Sequence, residues 1–213
     1  MNAKTLACHY GVIMIKRSSR LLLLLVFVLG AGFGVTACET DVHVQKLPEL
    51  TFTHLGGIKF NVSRLETSSK YKAPMKRPNI EHLFPAQPVV AMKRWATDRL
   101  KTTGRSGVAR FIVHEASVIE EKLKMDSSFT GVFTKQQSER YTGRVEATLE
   151  IFDTRGKRLG FASANAVRSK TVREDATLNE RDKAWFDLVE ELMKEFDREM
   201  TKNIKSHLVN WMM

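Results

Sequence analysis

An α+β two-layer sandwich is the predicted fold, with an antiparallel or mixed sheet of about four strands and two helices packed on one face. Three observations predict it. Tyr141 to Phe152 alternates apolar and polar residues as a half-buried strand does. Strand-like segments on either side of it follow one another without intervening helices. The last segment, from Thr177 onward, carries apolar residues at helical spacing.

Taken in order, the first strand is expected near Ile58 to Glu66, after the Gly56-Gly57 break. Thr67 to Pro88 holds four prolines and reads as a long loop, a kind that is often functional. Pro88 suits the first turn of a helix. The helix is expected over Val89 to Thr103, with Gly104 as its C-terminal cap. Val89, Met92, Ala96 and Leu100 share its apolar face, and Lys93, Arg94, Arg99 and Lys101 coat the opposite one. Val108 to Leu123 is rich in β-branched and aromatic residues and reads as a strand. Phe111, Val113 and Glu115 are expected on one side, with Ile112, His114 and Ala116 on the other. Lys124 to Gln137 is a polar connection carrying Phe129, Val132 and Phe133.

In the next strand Tyr141, Val145, Ala147, Leu149 and Ile151 face the core. Asp153 to Lys157 is a hairpin turn, with Gly156 suited to positive φ. The return strand, Arg158 to Val172, has a small-residue face (Ala162, Ala164, Ala166) against which a helix can pack closely. Thr177 and Glu180 have the spacing of a capping box. The stripe Trp185, Leu188, Val189, Leu192, Phe196, Met200, Ile204, Leu208, Trp211 then continues to the end. The distal part, Ile204 to Met213, is expected to outrun the sheet toward a partner or lipid.

The N-terminal region has another character. Lys16, Arg17 and Arg20 precede the apolar run Leu21 to Val28, and no acid occurs before Glu39. This is the layout of a secretory signal. The uncharged stretch Leu21 to Ala37 is short of the roughly 20 apolar residues of a spanning helix; an uncleaved anchor is the rival reading. Met14 offers an alternative start that gives a leader of ordinary length.

Val35-Thr36-Ala37-Cys38 resembles the lipobox of bacterial lipoproteins. The resemblance implies acylation of Cys38 and cleavage before it. It divides the chain into a signal peptide (1–37), a lipidated tether (38–49) and a periplasmic α+β domain (50–213). Stable anchoring takes more than one acyl chain. Glu39, where inner-membrane retention in enteric bacteria uses Asp, implies outer-membrane delivery, with the inner membrane as the alternative. The lipobox and the element order together resemble the small envelope lipoproteins with the fold of the TolB N-terminal domain. Auxiliary lipoproteins of ABC-type lipid transporters and activators of penicillin-binding proteins are among them.

Beyond Cys38 the chain has no cysteine, so a disulfide or a cysteine-based metal site within the mature chain is excluded. The net charge of +10 is uneven. Arg64 to Arg105 holds ten basic residues against Glu66, Glu81 and Asp98, whereas Glu174 to Glu199 holds ten acids against four bases. Nucleic acid is not an expected partner for an exported lipoprotein. The basic segment suits anionic lipid head groups or peptidoglycan carboxylates; a solvated surface of mixed charge is the plainer reading. Lys93, Arg94, Arg99 and Lys101 are its candidate binding residues.

Catalytic patterns do not assemble. Ser69-Lys70-Tyr71-Lys72 fits Ser-x-x-Lys, but it lies in a lysine-rich loop and no Ser-Asp-Asn follows. The histidines are scattered, and no metal or cofactor is expected. The expected role is a non-catalytic adaptor in envelope assembly or lipid transport, held to the membrane through Cys38 and working with an envelope protein. Activation of a cell-wall synthase and an envelope hydrolase are the alternatives.

Overall fold

The computed structural model describes residues 46–124 and 136–213. The expected signal segment (1–37), Cys38 and the apolar residues Phe129, Val132 and Phe133 lie outside the described residues. The elements are β1 (Ile58–Phe60), β2 (Arg64–Ser69), α1 (Pro88–Arg99), β3 (Leu100–Thr102), β4 (Val108–Lys122), β5 (Gln137–Phe152), β6 (Arg158–Arg173) and α2 (Leu178–His207). The main sheet has the order β2-β4-β5-β6. β2 runs parallel to β4, and the β4–β5 and β5–β6 pairs are antiparallel. This is the expected mixed sheet of four strands, joined by a small parallel pair of β1 and β3.

Both helices cover the same face. Trp95 of α1 and Phe196 of α2 meet Phe111 of β4, with ring centroids 5.5 and 6.3 Å from it, and lie 5.2 Å from each other. This aromatic cluster, completely buried, is the centre of the core. The expected inward residues of β5 are all buried, and so are Ala162, Ala164 and Ala166 of β6. α2 begins on the expected capping box: Thr177 accepts from the Glu180 N–H, and the Glu180 carboxylate accepts from the Thr177 N–H at 2.8 Å. Its stripe from Trp185 to Leu208 is buried.

The single strand expected near Ile58 to Glu66 divides into β1 and β2, which belong to different sheets. Four further local expectations give way. First, α1 stops at Arg99, and Leu100 to Thr102 leaves as β3, paired residue for residue with Ile58 to Phe60. Leu100 is buried in either conformation, so apolar spacing could not separate them. Second, Gly104 is no helix cap. It sits where the β3–β4 break crosses the β1–β2 break, donating to the Val62 carbonyl at 3.0 Å. A Cβ there would lie 2.4 Å from the Asn61 carbonyl carbon, so glycine is required by close backbone approach.

Third, the register of β4 on β5 shifts between Val113 and Glu115. This bulge turns Ala116 and Val118 to the side of Phe111 and Val113, and all four are buried. Strict alternation had put Glu115 there instead. Fourth, the C-terminal residues do not outrun the sheet. After His207 a 3₁₀ turn (Val209–Trp211) brings the chain back, Met212 pairs with Phe60, and the Met213 N–H donates to the Lys59 carbonyl at 3.0 Å. Gly160 makes room for this return, since a Cβ there would lie 2.8 Å from the Trp211 ring.

The proline-rich loop has a structural task. Ser69 ends β2, and residues 70–87 then cover the part of the β4 edge that β2 does not reach. Lys70 donates to the Val113 carbonyl, Ile80 to that of Val118, and Glu120 to that of Pro78. Covering an edge in this way satisfies backbone groups that would otherwise invite pairing with another chain. Glu81, buried in the loop, accepts from the Tyr71 hydroxyl at 2.6 Å and the Val118 N–H at 3.2 Å.

Gly104→Ala is expected to cost about 1–3 kcal/mol, because backbone rather than a movable side chain occupies the space. The midpoint of urea unfolding measures it. The capping box predicts a pH effect. Donation by the Thr177 N–H and hydroxyl lowers the Glu180 pKa below its ordinary 4.5. A depressed carboxyl contributes stability above its unfolded pKa and loses it as pH falls through the folded one. Glu180→Gln should therefore lower stability near neutral pH and make the acid loss shallower, read from unfolding midpoints at about pH 7 and about pH 3.

Candidate functional site

The candidate site of the sequence is the basic face of α1. Its side chains do not form one open surface. Lys93 and Lys101 are exposed, and Lys101 donates to the Thr97 carbonyl at 2.8 Å from β3, not from the helix. Arg94 is partly exposed and forms ion pairs with Glu49 at 3.1 Å and Asp98 at 3.4 Å. Arg99 departs from the expectation, for its side chain is only 7% exposed. An arginine so enclosed cannot reach a membrane or wall surface.

Arg99 is enclosed because the residues that precede β1 fold over it. Its Nε donates to Asp197 of α2 at 2.8 Å, and Nη2 donates to the Thr201 hydroxyl. Nη1 donates to the carbonyls of Leu55 and Gly56. The adjacent Asp98, also buried, accepts from the Phe52 N–H at 2.9 Å. Glu49, Phe52, Leu55 and Gly56 are thus gripped in succession by Arg94, Asp98 and Arg99. The helical spacing of the charged residues is real, but its use is to seat the incoming chain. Charge counting along the sequence carries no signal for a guanidinium satisfied by carbonyl groups some forty residues away.

Beside this seat lies an open groove of about 570 Å³. Leu47, Leu50, Phe84, Val90 and Phe186 of α2 supply apolar lining, with Glu49, Arg94 and Asp182 as its charged residues. Below it Phe84 stacks on Trp185, with centroids 4.8 Å apart. The groove is therefore a shallow, mostly apolar trough on a rigid aromatic base.

Elsewhere the sequence-level candidates stay apart. Ser69 ends β2 and its hydroxyl donates to the Tyr71 carbonyl at 3.0 Å. His114, at the β4 bulge, shares a hydrogen bond with the Thr148 hydroxyl at 3.1 Å, the satisfied strand histidine expected from its isolation. Among the described residues no group of three or more His, Cys, Asp or Glu side chains is placed to hold a metal ion. Nor is any helix among them long and apolar enough to cross a membrane.

No protein-family model matches the chain, and no curated protein matches it. Several solved structures are similar in part. Rare lipoprotein B from Shewanella oneidensis is 14% identical, with a TM-score of 0.34 over 70% of this chain and 98% of that one. A Helicobacter pylori homologue of a neuraminyllactose-binding haemagglutinin is 9% identical, with a TM-score of 0.31 over 77% of this chain and 96% of that one. A Xanthomonas campestris protein of the DUF330 family is 10% identical, with a TM-score of 0.29 over 76% and 94% of the respective chains. At these identities and scores, the functional reading rests on this chain's own residues.

Replacing single cations separates the two environments on α1. Arg99→Ala leaves the Asp197 carboxylate without its cation, with only the Trp95 indole N–H still donating to it, and removes the donor to the Leu55 and Gly56 carbonyls, so a loss of about 3–5 kcal/mol is expected. Lys93→Ala should change stability by less than about 0.5 kcal/mol. Urea unfolding of both variants is the measurement; equal losses would contradict the enclosed position of Arg99.

Proposed function

We propose that the protein is a bacterial envelope lipoprotein, acylated on Cys38, whose α+β domain is a non-catalytic adaptor in envelope assembly or lipid transport. The observation that carries the reading is Val35-Thr36-Ala37-Cys38, set behind a basic and apolar leader. Fewer than a dozen residues separate Cys38 from Glu49, which already touches α1. Such a short link holds the domain close to its bilayer, since an extended chain spans at most about 3.3–3.6 Å per residue. Glu39 after the cysteine favours the outer membrane.

The adaptor reading draws on what the domain offers: a rigid two-layer body with an apolar trough near the point where the tether enters. Its partners in this reading are an envelope protein and the membrane, with lipid or peptidoglycan as further ligands. The likeness to TolB N-terminal-type lipoproteins belongs to the same proposal.

Cys38→Ala should abolish palmitate labelling and leave an uncleaved precursor, seen as a larger band on a gel; normal labelling in that variant would refute the lipoprotein reading. Crosslinking in cells at Val90, on the groove rim, should trap one discrete envelope protein. Full function with the groove blocked, together with activity loss on replacing a single Ser or His, would instead favour an enzyme.

A further inference from the structure

One end of the main sheet carries a second cleft, away from the α1 candidates. There β2 and β4 begin, β5 ends and β6 begins. The cleft encloses about 400 Å³ between the turn before β4 and the β5–β6 hairpin, and Arg64, Arg105 and Arg110 all line it. We propose that this cleft is a binding site for a phosphate-bearing anion.

The first argument is the arrangement of the cations. Arg64 and Arg110 share one carboxylate: Arg64 Nε lies 3.1 Å from one oxygen of Glu66, and Arg110 Nη2 lies 3.1 Å from the other. Arg110 is also stacked over the Phe152 ring, 4.6 Å from its centroid. Both guanidiniums are thereby held in place while each keeps N–H donors to spare. Arg105 makes no hydrogen bond or ion pair among the described residues.

The second argument is the charge balance around the cleft. Arg64, Arg105 and Arg110 line the cleft with one carboxylate, Asp153, and a second, Glu66, is shared by Arg64 and Arg110; Arg155, Lys157, Arg158 and Glu150 belong to the adjoining hairpin and do not line it. Glu150 is engaged by Arg158 at 2.8 Å. Asp153 is turned inward to the hairpin, where its Oδ1 accepts from the N–H groups of Arg155 and Lys157 at 2.8 Å. Three arginines against Glu66 and Asp153 leave a positive excess at the opening, and Arg105 is the cation that no carboxylate engages.

The third argument is the shape of the walls. Gly107 and Gly156 both have left-handed backbones, with φ of 77° and 78°. A Cβ on Gly107 would lie 2.7 Å from the Phe152 carbonyl oxygen, so this turn is packed hard against the end of β5. The Ser63 hydroxyl and N–H both donate to the Gly107 carbonyl, which fixes the turn from the β2 side. The cations thus stand on a stiff frame. Guanidiniums converging from β2, β4 and the turn suit a tetrahedral oxyanion, which offers acceptors in several directions, better than a planar carboxylate. A phosphodiester head group and free phosphate share that chemistry.

The inference does not depend on acylation of Cys38, and it is tested in solution. The full chain in non-ionic detergent is titrated with sn-glycero-3-phosphoglycerol, with inorganic phosphate and with acetate at matched ionic strength, by calorimetry. Saturable binding of the glycerophosphodiester is expected, weakened about tenfold or more in Arg105→Gln and Arg110→Gln. Tighter binding of the diester assigns the cleft to a lipid head group, and equal or tighter binding of inorganic phosphate assigns it to free phosphate; both uphold the site. Absence of saturable binding by either phosphate, equal binding of acetate, or unchanged affinity in the Arg105 variant overturns it. Arg105→Gln removes no hydrogen bond or ion pair among the described residues, so its urea midpoint should stay near the parent value and the test survives any instability of Arg110→Gln.

Discussion

The Asp197 carboxylate is the point on which the two helices depend. Its Oδ1 accepts from the indole N–H of Trp95 and from Arg99 Nε, both at 2.8 Å. α1 thus offers two donors, one turn apart, to a single acceptor on α2. The geometry fixes the rotation of both helices and directs Trp95 and Phe196 onto Phe111. An enclosed charge is tolerable only when paired and hydrogen-bonded. Here the pairing also fixes how the preceding chain enters, because the remaining donors of Arg99 hold the carbonyls of Leu55 and Gly56.

A second level of organisation is electrostatic and lies around α2. The acidic excess of Glu174 to Glu199 does not form an open negative face. Lys170 of β6 meets Asp187 and Glu191, Arg168 meets Glu195, and Glu139 of β5 meets Arg181. β6 contains no acid, and two of its cations, Arg168 and Lys170, are answered by the helix laid along it. The large charge blocks of the sequence are therefore partly internal complements. Exposed pairs of this kind contribute little energy each, but they favour one register of the helix on the sheet. The surplus of positive charge is left at the far end of the strands, around Arg105.

The parts of the fold that were legible in the sequence are those where a single period runs unbroken. β5 shows period two across its whole wet-faced length, and α2 shows a helical stripe opened by a capping box. The parts that were not legible are decided between segments distant in the chain. Leu100 ends a helix because β1 is there to pair with it. His114 marks a bulge that alternation cannot reveal until β5 fixes the register. Trp211 turns back because Gly160 leaves it a place. The candidate site was legible as a cluster of cations on α1 and not as the seat it forms, since Arg99 is satisfied by backbone carbonyl groups that any residue type supplies. The cleft at Arg64, Arg105 and Arg110 could have been suspected only from the density of basic residues; the hairpin that completes it comes from another part of the chain.

The grip of α1 on the residues before β1 has a mechanical consequence. Tension applied from the N-terminal side reaches Glu49, held by Arg94, then Phe52, held by Asp98, and then Leu55 and Gly56, both held by Arg99. These attachments are loaded one after another, like the stitches of a seam. The innermost, Arg99, is itself fastened to α2 through Asp197. A pull on the residues before β1 is thus resisted in stages outside the sheet, and strain reaches the aromatic core only after the outer contacts have yielded. Were the domain tethered to a fluctuating surface, as proposed, that sequence would work as a strain relief.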